Sequence, residues 1–280
     1  MQQGGNRRQN PGLMHLLIDI GNSTVVVAVT DDSGAIFKTW RYKTLKDQTM
    51  AYYRHELYTG SKKYKIDFSK ISKVFISSVV PEVNDDIAQA ISDLTGVTPL
   101  FFSIEHARRF MTFDVESPSQ VGKDRLADSI GAICHYGVPA IIIDMGTATT
   151  ISVIDEDRRF LGGMIIPGTK TSLTALSSRA SQLPSITIEH PHNVIGKNTL
   201  ENMHSGIVYG TAAMIDGVIE KIISELPDTQ TGKTPKLIAT GGMAKTIMPY
   251  CEHDITVDEH LIFKGLDVAC STTLGVVVSC

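Results

Sequence analysis

Residues 15–28 read HLLIDIGNSTVVVA, and residues 140–153 repeat the same pattern as AIIIDMGTATTISV. In each copy a short apolar strand ends in Asp-x-Gly, small hydroxyl or amide residues follow, and a β-rich strand begins. An acidic turn and a third strand come next in both copies. The two aspartates, Asp19 and Asp144, lie too far apart for a solenoid repeat. The sequence therefore predicts a duplicated domain, with two related halves that each begin with a β-hairpin.

After each group of three strands, helical segments alternate with buried strands. This order predicts an α/β protein of two domains with a ligand cleft between them. The boundary is expected near 137–139, which gives an N-terminal domain at 14–137 and a C-terminal domain at 138–280. The last helix is expected to be able to pack back on the first domain. The later elements are expected as strands near 73–79, 98–102 and 236–239, a short extended segment at 260–264, and helices at 81–95, 103–111, 124–136, 200–226 and 265–275.

Composition excludes several classes of protein. The 280 residues carry a net charge of −4, which argues against a dedicated nucleic-acid-binding protein. No apolar run approaches the length of a membrane span, and residues 1–13 lack the apolar core of a secretory signal, so they are expected to form a disordered tail before Met14. The four cysteines show no CxxC spacing, which predicts free thiols in a reducing cytoplasm rather than a zinc site or a disulfide framework.

The first Asp-x-Gly turn, DIGNST at 19–24, has the chemistry of a phosphate site. Gly21 allows a tight turn whose backbone amides face a ligand, and Asn22, Ser23 and Thr24 add side-chain donors. Asp19, at the end of a strand, can hold Mg²⁺ directly or through water. One copy alone would favour an ordinary hairpin turn. The second copy, DMGTATT at 144–150, favours phosphate binding by both.

Two further motifs follow the same logic. GKDR at 122–125 opens a predicted helix, where Asp124 is either the N-cap residue or a general base beside the anion-binding Arg125. The spacing alone leaves these two interpretations equal. TGG at 240–242 follows a strand, where Gly241 and Gly242 would let a flat base lie on the backbone, although this signal is weak by itself.

Together these elements resemble the superfamily of acetate and sugar kinases, Hsp70 and actin, and within it the type III pantothenate kinases. The resemblance extends from residue 14 to about residue 275. It implies two duplicated ribonuclease-H-like domains with an interdomain cleft, and ATP-dependent phosphorylation of the primary hydroxyl of pantothenate, the first step of coenzyme A biosynthesis. The motifs that carry it are DIGNST, GKDR, DMGTATT, GGMIIPG at 162–168, IGKNT at 195–199 and TGG.

The resemblance also implies roles on the substrate side. Asp124 would be the base that takes the proton of the substrate hydroxyl. Gly122, Lys123 and Arg125 would bind pantothenate, with Arg125 facing its charged or polar end. Thr199 would complete the pocket of a partner subunit, because the family is homodimeric with sites at the subunit interface.

On the nucleotide side, the resemblance implies that Asp144 binds a monovalent cation, K⁺ or NH₄⁺, and that Asp19 lies by the Mg²⁺ ion and the phosphates. The residues implied to contact ATP are Asp19, Gly21, Asn22, Ser23, Thr24, Thr147, Gly241 and Gly242.

Two positions depart from the family pattern. Val115 stands where the family usually has a tyrosine that touches the substrate, and the lost hydrogen bond, about 0.5–1.5 kcal/mol, is expected to weaken binding. Asp128 replaces an asparagine one helical turn beyond Asp124, where a second carboxylate is expected to raise the pKa of either group. Two alternatives stay open: a kinase for another hydroxylated substrate, against which GKDR argues, and a non-catalytic nucleotide-binding accessory or regulatory relative.

Overall fold

Met14–Ile20, the apolar stretch before the first Asp-x-Gly turn, forms strand β1, and all of its residues except Asp19 are buried. Such continuous burial is typical of a central strand that is covered on both faces. The computed structural model, which describes residues 12–226, 233–273 and 280, places β1 in the middle of a five-stranded sheet. The other strands of this sheet are β2 (Thr24–Asp31), β3 (Ile36–Lys43), β4 (Ile71–Ser78) and β5 (Leu100–Phe101).

The second sheet repeats the first. Its strands are β6 (Thr112–Phe113), β7 (Ala140–Met145), β8 (Ala148–Ile154), β9 (Arg159–Pro167), β10 (Lys236–Thr240) and β11 (Thr256–Val257). The first sheet runs β3-β2-β1-β4-β5, and the second runs β9-β8-β7-β10-β11 with β6 added beside β9. In both, the first three strands are antiparallel and the rest are parallel to the central strand. The identical order confirms the predicted duplication and the α/β class.

Eight helices are present in the described part of the chain. They are α1 (Met50–Tyr64), α2 (Asn84–Thr95), α3 (Ile104–Ala107), α4 (Lys123–His135), α5 (Thr169–Arg179), α6 (Thr199–Glu225), α7 (Ala244–Ile247) and α8 (Leu261–Thr273). Pro81 occupies the first turn of a 3₁₀ segment that leads into α2, as the sequence predicts. The first sheet and its helices share one apolar core around Tyr53, Leu57 and Ile87, while the second has its own core around Val208 and Ile215.

Helix α4 is buried along eight consecutive residues, from 126 to 133, because it packs against both α8 and the second sheet. Two glycines allow α4 and α8 to touch backbone to backbone. A Cβ atom on Gly265 would overlap the carbonyl of Ala127, and one on Gly131 would lie 2.5 Å from the carbonyl oxygen of Leu261. The spacing of these two helices is therefore set by main-chain contact.

The chain divides into two units, Met1–Phe102 and Ser103–Cys280. The predicted boundary near 137–139 falls inside the second unit, because α4 packs on α8 and β6 pairs with β9. Of the predicted tail, residues 1–11 lie outside the described part of the chain, as do residues 274 and 275 of the last predicted helix.

Two predictions are wrong. Residues 261–264 are not extended but form the first turn of α8, where the apolar run Leu261-Ile262-Phe263 imitates a strand although Leu261 and Phe263 are buried as helical residues. The cysteines are not all free thiols, because Cys134 and Cys280 form a disulfide whose Cα atoms are 4.3 Å apart. Their distance in sequence gives no sign of this proximity.

Within the described residues, no helix combines the length and the apolar character needed to cross a membrane.

Candidate active site

The GKDR motif forms the start of α4. Gly122 is the N-cap residue, so Asp124 is not, and that interpretation of Asp124 is wrong. Asp124 lies instead in the first turn, where its Oδ1 accepts a hydrogen bond from the backbone N–H of Arg125 at 2.8 Å. A Cβ atom on Gly122 would overlap the Asp124 carboxylate, so the glycine leaves room for it. The helix dipole stabilises a carboxylate in this position.

Asp144 is the second carboxylate of the site. It lies partly buried near the end of β7, directly beside Thr240 of the neighbouring strand β10. A Cβ atom on Gly241 would overlap its Oδ1 atom, so this glycine also makes room for a carboxylate. Burial and the charge of Asp124 raise the pKa of Asp144 to about 7. The structure thus brings Asp124, Asp144 and Gly241 together.

The side chain of Arg125 contacts the second sheet. Its Nε donates to Ser152 Oγ at 3.0 Å, and its Nη2 donates to the carbonyl oxygens of Ile151 and Gly162 at 3.0 and 3.3 Å. The guanidinium carbon lies 5.4 Å from the centre of the Phe160 ring. Burial lowers the pKa of Arg125, while Asp124 acts to raise it.

The two departures from the family pattern lie at or near this site. Val115 lies close to a sheet residue that Arg125 contacts, because its Cγ1 atom would be 3.5 Å from a Cβ atom placed on Gly162. Asp128 is 3% exposed, one turn further along α4 than Asp124.

The turn between β7 and β8 is held in place by two neighbouring segments. The N–H of Gly168 and the hydroxyl of Thr171, at the start of α5, both donate to the carbonyl oxygen of Thr147, at 3.2 and 2.7 Å. The N–H of Met243, next to the exposed Gly242, donates to the carbonyl oxygen of Met145 at 3.4 Å. The exposed Thr147 thus sits on a supported turn whose amides can face a ligand.

In the other unit, the matching turn follows β1. The N–H of Gly21 donates to the carbonyl oxygen of Thr24, while Asn22 and Ser23 are exposed. Thr44, which no sequence motif singles out, supports this turn: its hydroxyl donates to the carbonyl oxygen of Gly21 at 2.7 Å, and its N–H donates to that of Ser23 at 3.1 Å.

Thr199 is the last residue of the IGKNT motif. It is the exposed first residue of α6, where the IGKNT motif forms a helix cap in which Asn198 Oδ1 accepts from the N–H of Glu201 at 3.0 Å. Thr199 lines a cavity of about 500 Å³ between α5 and α6, together with residues such as Leu176 and Met203. None of residues 122–125 lines this cavity.

Among the described residues, no group of three or more histidine, cysteine, aspartate or glutamate side chains could hold a metal ion on its own. A cation at Asp19 or Asp144 would therefore take further ligands from other groups, such as water, hydroxyl or amide side chains, backbone carbonyls or substrate.

The strand order and the paired Asp-x-Gly turns define a fold of the actin, Hsp70 and sugar-kinase type. A Campylobacter jejuni protein described as a Baf family transcriptional activator shares the fold with a TM-score of 0.58 at 19% identity, over 93% of this chain and 100% of that chain. The ethanolamine utilization protein EutJ from Carboxydothermus hydrogenoformans shares the fold with a TM-score of 0.52 at 14% identity, over 93% of this chain and 90% of that chain. At this level of identity the likeness concerns the fold alone.

Sequence comparison is more specific. The family description "Type III pantothenate kinase" matches residues 15–221. The type III pantothenate kinase of Shouchella clausii is 38% identical over 253 residues, which are 90% of this chain and 97% of that protein. The type III pantothenate kinase of Desulforapulum autotrophicum is 36% identical over 256 residues, which are 91% of this chain and 95% of that protein. The chain belongs to the type III pantothenate kinase family.

Proposed function

We propose that this protein transfers the γ-phosphoryl group of ATP to the primary hydroxyl of pantothenate, the first step of coenzyme A biosynthesis. One observation carries the proposal. At the start of α4, the GKDR motif holds a carboxylate and a guanidinium on consecutive residues, beside a second carboxylate at the end of β7. Phosphoryl transfer needs positioning and charge stabilisation more than covalent chemistry, and this arrangement supplies both.

Asp124 acts as the general base. The hydrogen bond from the N–H of Arg125 to its Oδ1 fixes the carboxylate and leaves Oδ2 for the substrate hydroxyl. As the hydroxyl oxygen bonds to the γ-phosphorus, the bond from that phosphorus to the bridging oxygen breaks, ADP leaves with the electron pair, and the proton of the hydroxyl passes to Oδ2. The positive end of the α4 dipole stabilises the carboxylate before the transfer.

Gly122, Lys123 and Arg125 bind pantothenate, with Arg125 facing its carboxylate. The sheet contacts of Arg125 support this role, because they hold the charged group in one place before the substrate arrives. Val115 contributes an apolar wall here but no hydrogen bond.

Both Asp-x-Gly turns bind the phosphates of ATP, and the loop after β10 binds its adenosine. The supported backbones of the turns favour this role, since preorganised amides bind anions without reordering. The residues assigned to ATP are Asp19, Gly21, Asn22, Ser23, Thr24, Thr147, Gly241 and Gly242.

Two cations fit the residues present. Asp144 would hold K⁺ or NH₄⁺, because its carboxyl is crowded by Asp124 and has a raised pKa of about 7, which a bound cation would lower. Asp19, partly buried near the end of β1, would hold Mg²⁺ directly or through water. When bound, these ions neutralise the negative charge of the phosphates.

The proposed enzyme is a homodimer, in which Thr199 of one copy completes the substrate pocket of the other. Exposed apolar side chains on α5, at the start of α6 and in the segment before α6 support it, since exposed apolar residues are typical of interfaces. They are Leu176, Val194, Ile195 and Leu200, with exposed fractions of 47%, 63%, 73% and 49%.

We assign the protein to the cytoplasm, where ATP is available. Free thiols would have supported a reducing compartment, but Cys134 and Cys280 form a disulfide. The assignment to the cytoplasm therefore depends on the need for ATP alone.

The decisive experiment measures ADP release from purified protein with ATP, Mg²⁺ and pantothenate, with either K⁺ or Na⁺ present and with Asp124→Asn as a control. Turnover that depends on pantothenate, needs K⁺ and is lost in the variant would support the reaction, the base and the cation together. Nucleotide binding without turnover would indicate a non-catalytic accessory protein instead. In that case Val115→Tyr and Asp128→Asn would be the first reversions to make.

A further inference from the structure

The guanidinium of Arg125 is held on three sides by the second sheet. Ser152 of β8 accepts from Nε, the carbonyl oxygens of Ile151 and Gly162 accept from Nη2, and Phe160 of β9 lies against the guanidinium carbon. Ser152 is 2% exposed and Phe160 is fully buried, so both contacts lie inside the protein and not on its surface. We call these contacts the arginine socket.

The double glycine of the GGMIIPG motif makes the socket possible. Gly162 and Gly163 have φ angles of +107° and +141°, in the region that favours glycine. Gly163 lies directly opposite Ser152 in the sheet. A Cβ atom on Gly163 would overlap the carbonyl of Ile151 and lie 3.1 Å from Nη2 of Arg125. Two glycines inside a strand are unfavourable, and here they give the guanidinium access to the sheet.

The socket leaves one part of the guanidinium available. An arginine has five N–H donors, and the socket engages the single one on Nε and those of Nη2. Among the described residues, Nη1 has no hydrogen-bond partner. Because Nε and Nη2 are both anchored, the plane of the guanidinium is fixed, and so is the direction in which Nη1 points. If only the two Nη2 hydrogen bonds remained, the guanidinium could turn about Nη2, and the direction of Nη1 would no longer be fixed.

We propose that Ser152 is a positioning residue: it fixes the Arg125 guanidinium in the plane that points Nη1 at the carboxylate of the substrate. This inference rests on the function proposed above and adds a residue and an atom to it. Ser152 does not touch the substrate. It acts through Arg125, so its loss affects recognition of the carboxylate and leaves phosphoryl transfer by Asp124 intact.

The test compares steady-state kinetics of the wild-type protein, Ser152→Ala and Ser129→Ala, with pantothenate and with pantothenol, in which a hydroxymethyl group replaces the carboxylate. Ser129 is the matched control, because it is fully buried and its hydroxyl donates to the backbone carbonyl of Arg125 at 2.7 Å without touching the guanidinium. A merely structural role would affect both variants and both substrates alike.

We expect Ser152→Ala to raise the KM for pantothenate about tenfold, since hydrogen bonds to charged groups are among the stronger ones. Its kcat and its KM for ATP should stay within twofold of wild type, and its KM for pantothenol should change less than twofold. Ser129→Ala should leave all four values within twofold. A KM for pantothenate within twofold of wild type in Ser152→Ala, or an equal rise for both substrates, would overturn the inference.

If Ser152→Ala does not fold, Ser152→Cys tests the same point, because a thiol keeps a side chain of similar shape but is only a weak acceptor for the Nε–H of Arg125. The same selective rise in the KM for pantothenate is expected, and an unselective rise or no change would overturn the inference. No pantothenate-dependent turnover by the wild-type protein would overturn the proposed function, and this inference with it. Turnover with an unchanged variant KM would overturn the inference alone.

Discussion

Burial, together with the neighbouring charge of Asp124, raises the pKa of the Asp144 carboxyl to about 7. The two residues belong to different elements, the start of α4 and the end of β7, and each has a glycine that leaves space for its carboxylate. A carboxyl group that titrates near neutral pH changes charge under assay conditions, so the pair can be examined directly.

Asp124→Asn should lower turnover at least 100-fold, because general-base catalysis contributes about 10²–10⁴-fold. ATP affinity should remain, since the carboxylate is assigned to the hydroxyl and not to the nucleotide. ADP release and calorimetric titration with ATP measure the two effects. Asp85→Asn, on the exposed side of α2, is the control and should behave as wild type. Near wild-type turnover in Asp124→Asn would refute its role as base.

Asp144 should make the unliganded protein less stable as the pH rises. Its folded pKa of about 7 lies above the ordinary aspartate pKa of 3.8, so its contribution is fully present below the unfolded pKa and is lost as the pH rises through about 7. Asp144→Asn should therefore gain stability relative to wild type as the pH rises from about 4 to about 7. Thermal unfolding without K⁺ measures this gain as a rise in Tm of a few degrees, since 1 kcal/mol corresponds to about 2–4 °C in a protein of this size. A difference that stays constant with pH would contradict the raised pKa.

Reduction of the Cys134–Cys280 disulfide should destabilise the protein. The cross-link joins residues 146 positions apart, for which loop entropy predicts about 5 kcal/mol, and about 2–5 kcal/mol is typical. Denaturant unfolding with and without a reductant measures the loss, and Cys280→Ser should reproduce the reduced value. Cys251→Ser, at a free cysteine, should keep the full response to reductant. If the reductant has no effect on the wild type, the two cysteines are not paired.

Gly265→Ala should destabilise the fold by more than about 2 kcal/mol, because the added methyl group would overlap the carbonyl of Ala127 and force α4 and α8 apart. Gly217→Ala in α6 is the matched control. Nothing lies within 4 Å of its Cβ position, so the change should be neutral or stabilise the helix by about 0.5–1 kcal/mol. Urea unfolding compares the two, and equal effects would show that the helix contact is not tight.

Ile195→Glu should weaken association of two copies, since it places a charge on a side chain that is 73% exposed in the single chain. Sedimentation velocity should show a shift from dimer to monomer at micromolar concentration, with loss of activity if Thr199 serves the partner's site. Lys221→Glu, on α6 away from the cavity, should leave the sedimentation coefficient unchanged. A monomeric wild type with full activity would exclude the dimer.

The sequence predicted the features whose signal is local. The duplicated strand-turn-strand pattern revealed both sheets, and the apolar spacing of Leu126, Ile130 and Ile133 revealed α4. Helix α1 could not be predicted in this way, because its buried face mixes Tyr53 and Leu57 with Gly60 and Ser61, and the small residues hide the periodicity.

Residues that act through tertiary contact were also missed. Ser152 and Thr44 are ordinary strand and loop residues in the sequence, and only the fold brings them to Arg125 and to the first Asp-x-Gly turn. One signal was available for the arginine socket: the pair Gly162-Gly163 inside a predicted strand indicates a close approach of some other group. No local sequence pattern indicated that Cys134 and Cys280 form a disulfide.

The contact between Gly131 and Gly265 has a consequence for how the chain tolerates change. Because the two helices meet through main-chain atoms at this point, a side chain at either glycine would displace α4, and with it Asp124 and Arg125. Neutral drift is therefore closed at positions 131 and 265 to every residue larger than glycine. The fold places part of its mutational sensitivity in two residues that have no side chain.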